Sequence, residues 1–281
     1  MKNRILTSLS IVFPSLLIFT GCGTNQSNFT VLGAELTPQG GSIVIAGSTT
    51  VAPIAQVLAD SFMETHPGYR IEVQSMGTGA GMTAAIEGVA DIGLASRDLN
   101  PDELEYLDFV TFAIDGIAVV VNQSNPVEDL SFDEIQGIFL GEITNWSQVG
   151  GADADIIVVS REAGSGARGS FESLAGVTDE VYYMLIGVGS NSTVTHIEQN
   201  RHAIGYVTYS IVETRSVNSV SVGGVAFSSE SALSGDYPFA IGFHMAFDIE
   251  GVSPETQIFL DWVMSPAGQA VVAEAEYVPV Q

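Results

Sequence analysis

Lysine is nearly absent from this chain. The single Lys2, together with Arg4, precedes everything else, and the later cations are six arginines: Arg70, Arg97, Arg161, Arg168, Arg201 and Arg215. All 33 acidic residues lie beyond residue 22, so the chain from there on carries a formal charge of −27. Such a surface repels nucleic acid and anionic head groups, which excludes nucleic acid as a partner. Acid excess with lysine depletion also fits a surface that stays hydrated in concentrated salt, although compositional bias of the lineage gives the same pattern. Any buried anion must recruit from six arginines or from uncharged donors.

Cysteine is equally scarce. Cys22 is the only one, so no internal disulfide can form. The four histidines, His66, His196, His202 and His244, show no H-E-x-x-H spacing, and there is no G-x-S-x-G elbow or Walker lysine. No metal site, cofactor or catalytic group is therefore expected. Long apolar runs are missing too. The stretch 9–19 is too short for a stable membrane span, follows Lys2 and Arg4, and ends in Thr20-Gly21-Cys22. That order reads as an export signal cut before a cysteine that is then lipidated. Residues 1–22 are the expected lipoprotein signal, with Cys22 as the lipidation site, and 23–40 a tether on the outer face of the cell membrane. An ordinary secretory peptide with an incidental cysteine is the alternative.

What the chain does have is glycine, 30 residues of it, and a 46% hydrophobic content arranged in alternating elements. Strands are expected at 42–46, 70–75, 90–95, 109–122, 156–160, 203–208 and 239–247. Helices are expected at 49–66, 78–88, 131–140, 164–174, 192–200, 254–264 and 266–275. Pro53 stands in the first turn of one helix, and Ser131 with Glu134 forms a capping box at another. Alternation of this kind predicts an α/β fold with parallel sheets covered by helices. The long apolar stretch 109–122 is interrupted by Asp115-Gly116, and 239–247 is a second such stretch. Two crossings imply two α/β lobes joined by a two-stranded hinge, with lobe 1 at 41–116 and 242–281, lobe 2 at 117–241, and a ligand cleft between them.

Three strand-to-helix junctions share one chemistry: "AGSTTVAP", "SMGTGAGM" and "REAGSGARG", starting at residues 46, 75 and 161. Each follows an apolar strand, is rich in Gly with Ser or Thr, and opens a helix. Unpaired N–H groups and the helix dipole make such a start an anion site, and small side chains let an oxyanion reach the backbone. A simple capped turn uses the same residues. Three of them, divided by the crossing at Asp115, point to a shared ligand.

Those turns, with "DIGLASRDL", "DGIAVVVNQSNPV", "IFLGEITNWSQVGG", "AIGYV" and "FLDWVMSPAGQAVVAEAEYVPV", closely resemble the PstS family of phosphate-binding lipoproteins, in order from about residue 41 to 280. The resemblance implies a class II periplasmic-binding-protein fold. It also implies a monomer that binds inorganic phosphate and delivers it to the membrane subunits of an ABC permease. The family's ligand shell falls on Ser48, Thr49 and Thr50, on Thr78 with Gly79, on Arg161, and on Ser165 and Gly166. Ala167 stands where relatives carry Thr, and Arg168 matches a frequent family arginine. Ser96 and Arg97 occupy a ligand-facing segment whose chemistry varies. Near the return crossing, Tyr237-Pro238-Phe239-Ala240-Ile241 lacks the cation of many relatives.

Asp115 is the oddity, an acid within an apolar crossing strand. It either pairs with Arg97 or Arg161 to hold the hinge, or accepts the proton that phosphate carries and sulfate does not. Other tetrahedral oxyanions (molybdate, tungstate, sulfate), a secreted phosphatase, and a sensory or adhesive module that kept the fold are the competing functions.

Overall fold

The computed structural model describes residues 40–212 and 214–280; the expected export signal, Cys22 and all but the last residue of the expected tether lie outside the described residues. The first sheet begins with β1 (Gly41–Gly47), followed by α1 (Ala52–Thr65), β2 (Tyr69–Ser75), α2 (Thr78–Ile86) and β3 (Ile92–Ala95). β1 pairs in parallel with β2 and β3, and its Ile43, Ile45 and Ala46 are fully enclosed, as a strand covered on both faces requires. Pro53 sits in the first turn of α1, where its missing N–H costs nothing.

β4 (Leu107–Asn122) then leaves this sheet for a second one. Around it are gathered β5 (Asp129–Leu130), α3 (Phe132–Phe139), β6 (Ile157–Arg161), α4 (Gly166–Leu174), β7 (Leu185–Gly187), α5 (Gly189–Gln199), β8 (Ala203–Thr208), α6 (Tyr209–Val212), β9 (Val217–Ser219), β10 (Ser221–Val222) and α7 (Ser229–Ser234). The return strand β11 (Ala240–Asp248) leads to α8 (Pro254–Val263), α9 (Pro266–Glu274) and β12 (Val278–Pro279). The strand order is β2-β1-β3-β11-β4-β8-β6-β7.

Two α/β lobes and their two-stranded connection are visible in that order. β4 pairs with β11 from Leu107 to Gly116 and with β8 from Ile117 onward. The expected interruption at Asp115-Gly116 does not occur. Asp115 faces Ile241 and Gly116 faces Ala240 in continuous pairing, the register shift of this ladder lying further on between Phe243 and His244, and the ring of Phe227 lies where a Gly116 Cβ would be. Ile117 donates to the Phe239 carbonyl at 2.8 Å, and the Tyr237 hydroxyl to the Ile117 carbonyl at 2.8 Å. These bonds tie the two crossing segments together.

Each lobe packs on aromatic rings. Phe62 meets Phe259 edge to face at 5.2 Å in the first, and Phe171 stacks on Tyr206 at 4.1 Å in the second. Burial of one such ring is worth about 1.5–3 kcal/mol. Ser131 and Glu134 form the expected capping box on α3. α5 begins three residues before the predicted start at 192, because the Gly189 N–H is held by the Glu162 carboxylate at 3.1 Å and Gly189 adopts φ 77°.

Candidate functional site

In a chain with 33 acids, the first turns of α1, α2, α4 and α5 contain none. By contrast α3, α7 and α8 start with Asp133 and Glu134, Glu230, and Glu255. α6 and α9 also lack an acid there, and Ser265 caps α9 as Ser165 caps α4. Acids at a helix start are favourable, so these four have no acid of their own first turn to offset the positive dipole end, although at α5 the Glu162 carboxylate meets the Gly189 N–H.

Backbone contact brings the first two turns together. Met76 and Gly77 both donate to the Gly47 carbonyl, at 2.8 and 2.9 Å, and Gly81 packs so tightly on Ala46 and Gly47 that no side chain fits. Ser48 Oγ donates to Ser96 Oγ at 3.0 Å, and the Ser96 N–H to Thr78 Oγ1 at 3.4 Å. All three residues are buried. The third turn arrives from the other lobe. Gly79 donates to the Gly164 carbonyl at 3.2 Å, and Gly166 leaves no space for a Cβ against Thr78 Oγ1 and Ser96 Oγ. Ser165 caps α4 by accepting from the Arg168 N–H at 3.3 Å, and Ala167 is fully enclosed behind it. The three turns are thus packed against one another.

Arg161, 1% exposed at the end of β6, opens the third turn and reaches the first. Its Nη2 donates to Thr49 Oγ1 at 3.3 Å and its Nη1 to Ser190 Oγ at 3.2 Å. Glu162 takes its other edge at 2.9 and 3.0 Å. Burial pushes the Glu162 carboxyl up, but the hydrogen bond and charge of Arg161 prevail and hold it below the usual carboxylate range. Thr50 Oγ1 lies 3.3 Å from Ser190 Oγ, a second hydroxyl contact between the lobes. Ser190 was not anticipated. Its setting, "LIGVGSNS", repeats the pattern of a small-residue turn after an apolar strand, and the late helix start concealed it.

Arg97 and Arg168 are placed differently. Arg97 forks onto Glu103 at 2.8 and 2.7 Å, and Arg168 binds Glu172 at 2.6 Å and the Arg161 carbonyl at 3.2 Å. Both line a second cavity of about 750 Å³, together with Ser165, Ala240 and Ile241.

Asp115 pairs with neither Arg97 nor Arg161, which are held by Glu103 and Glu162. Its oxygens accept from the Gly116 N–H and the Ser210 hydroxyl, each at 2.7 Å. Burial raises its pKa to about 7 against the opposing pull of those hydrogen bonds. Burial, with a lesser push from Asp115, also raises the phenols of Tyr237 and Tyr277. Ser210 was likewise unanticipated; it lines a cavity of about 430 Å³ with Thr49, Thr50, Ser190 and Tyr277.

Comparison with known proteins gives a consistent result. Residues 33–267 match the PBP superfamily domain. The phosphate-binding protein PstS of Bacillus subtilis is 30% identical over a 298-residue alignment covering 100% of this chain and 95% of that protein. A putative phosphate ABC transporter substrate-binding protein from Clostridium perfringens, solved with bound phosphate, superposes with a TM-score of 0.82 at 38% identity, covering 86% of this chain and 100% of that one. An ABC-type phosphate transport receptor from Vibrio cholerae gives 0.72 at 35% identity, covering 84% and 99%.

Proposed function

The chain belongs to the PBP superfamily, within it to the PstS phosphate-binding proteins, and we propose that it captures inorganic phosphate outside the cytoplasm and delivers it to an ABC-type permease. The observation that carries this reading is the buried Arg161 of one lobe bonded to Thr49 of the other, beneath helix starts from both.

Arg161 supplies the single full positive charge, and Glu162 fixes the plane of its guanidinium. Thr49, Thr50, Thr78, Ser165 and Ser190 offer hydroxyls and the segment at Gly166 and Ala167 offers backbone N–H groups, while Ser48 and Gly79 join in only by exchanging their bonds to Ser96 and Gly164. Donors already oriented by the fold replace the hydration shell at little reorganisation cost. Since they come from two lobes, an anion between them stabilises the closed state, and closure is what a permease can sense. No bond of the ligand is made or broken.

Selectivity for a protonated oxyanion rests on Asp115 acting through Ser210. A hydroxyl whose proton is committed to Asp115 has only lone pairs left, which accept from a phosphate O–H and repel sulfate. A site that demands one hydrogen bond rejects an analogue lacking it by about 10⁴-fold. Arg97 and Arg168 act as supports, since their forks are taken by Glu103 and Glu172.

The same reading assigns lobe 1 to residues 41–116 and 242–281 and lobe 2 to 117–241, supported by the change of β4 partner between Gly116 and Ile117. It makes the protein a monomer anchored through a lipidated Cys22. Calorimetric titration of the purified protein tests it: phosphate is expected to bind one to one, with sulfate far weaker. Equal affinity for the two anions, or turnover of a phosphate ester, would overturn it.

A further inference from the structure

The cavity that adjoins the anion focus is larger than a five-atom anion needs. It is a half-open cleft of about 430 Å³, within the range of about 300–1,000 Å³ typical of sites for small organic molecules. Thr49 and Ser190, the partners of Arg161, form part of its wall with Thr50, Asn191 and Ser210, and another part passes over Pro53, Ile211 and Tyr277. Those three present carbon surface. Ser75 and Thr214 add hydroxyls at its border. Among the described residues no arginine, lysine or histidine lines it, and the surrounding chain is strongly acidic, so a second anionic group would find no ionic partner there. Walls from both lobes mean that the closure gripping a phosphoryl group would also enclose whatever is attached to it.

We propose that this cavity receives the organic substituent of a small phosphate monoester or phosphonate, its substituent uncharged and hydroxylated, while the singly protonated phosphoryl group stays on Arg161 and keeps the O–H that Ser210 accepts. The protein would then bind short organic phosphates besides inorganic phosphate. This inference rests on the reading of the cleft as a phosphoryl site. The apolar wall takes the carbon chain, and the border hydroxyls pair with its hydroxyl groups, so neither is buried at a loss.

The test is calorimetric titration of the purified protein with glycerol 3-phosphate and with 2-hydroxyethylphosphonate, whose carbon–phosphorus bond cannot release phosphate. Both are expected to bind one to one and to be displaced by phosphate. Ser75→Trp and Ile211→Trp, which fill the cavity from opposite lobes, are expected to weaken both organic ligands at least tenfold and phosphate less than threefold. Ser75 is exposed, so its variant reports on the cavity even if Ile211→Trp folds poorly. The inference falls if phosphate binds and neither organic ligand does. It falls equally if Ser75→Trp leaves the organic ligands untouched or weakens phosphate just as much. Failure of phosphate itself to bind would instead overturn the reading of the cleft.

Discussion

The Arg161 guanidinium reaches across the cleft to Thr49 Oγ1 at 3.3 Å while Glu162 holds its opposite edge at 2.9 and 3.0 Å. One side of the fork is thus anchored by charge, and the other makes two long bonds to hydroxyls. Long, neutral contacts are the ones an anion displaces. Arg161→Met is expected to weaken phosphate by about 10- to 100-fold, the scale of a charge-assisted hydrogen bond. Arg161→Lys should fall between, because an ammonium keeps the charge but cannot bond Glu162, Thr49 and Ser190 together. Calorimetry on the three proteins checks the order.

Gly166 offers a separate test of closure. A methyl group there would overlap Thr78 Oγ1 and Ser96 Oγ of the facing lobe. Gly166→Ala is expected to lower phosphate affinity more than 100-fold by holding the lobes apart, a loss of about 3 kcal/mol. Thermal stability without ligand should change little, since the clash exists only between lobes. Differential scanning calorimetry with and without phosphate separates the two effects.

Asp115 sets a pH dependence. Its folded pKa of about 7 lies above the ordinary carboxylate value, so the folded state holds this proton more tightly than the unfolded chain. Stability from this group is greatest below the ordinary pKa of about 4 and falls as pH rises to about 7, by up to about 4 kcal/mol. Asp115→Asn, which mimics the protonated form, removes that dependence. Chemical denaturation at pH 4 and pH 8 should find the variant more stable than wild type at pH 8 and close to it at pH 4.

The same pair controls selectivity. Ser210→Ala and Asp115→Asn are each expected to relax discrimination of phosphate over sulfate by at least tenfold while weakening phosphate less. Competition titrations with both anions give the ratio. Equal losses for the two anions would mean that Ser210 and Asp115 serve only the hinge.

Charge makes a prediction of its own. With −27 beyond residue 22, self-repulsion weakens the compact state at low ionic strength. Screening shortens from about 10 Å at 0.1 M salt to about 3 Å at 1 M. The melting temperature is expected to rise with sodium chloride over that range, read by fluorescence; a flat or falling curve would remove salt adaptation from the account.

Much of this architecture was legible from local pattern. The turns at Ser48, Thr78 and Ser165 could be found because small polar residues directly follow apolar strands, and α3 announced itself through Ser131 and Glu134. The pairing of Arg168 with Glu172 is an i,i+4 spacing that sequence alone contains. Contacts between distant segments were not legible. Ser210 is 95 residues from Asp115, and no periodicity links them. Ser190 was hidden by its own helix, whose polar first turn resembles a loop until Glu162 is seen holding Gly189. At Asp115-Gly116 the local signal pointed to a break, but the ladder to Ala240 and Ile241 overrides it.

The central claim is that one tetrahedral anion is held by Arg161 and by donors from both lobes at once. Diffraction from crystals grown with phosphate tests this most directly. The account predicts a single anion within hydrogen-bond distance of the Arg161 guanidinium, with Thr49 or Thr78 on one side and Ser165 or Gly166 on the other. An anion seated on Arg97 and Arg168 in the second cavity, or touching one lobe alone, would contradict it.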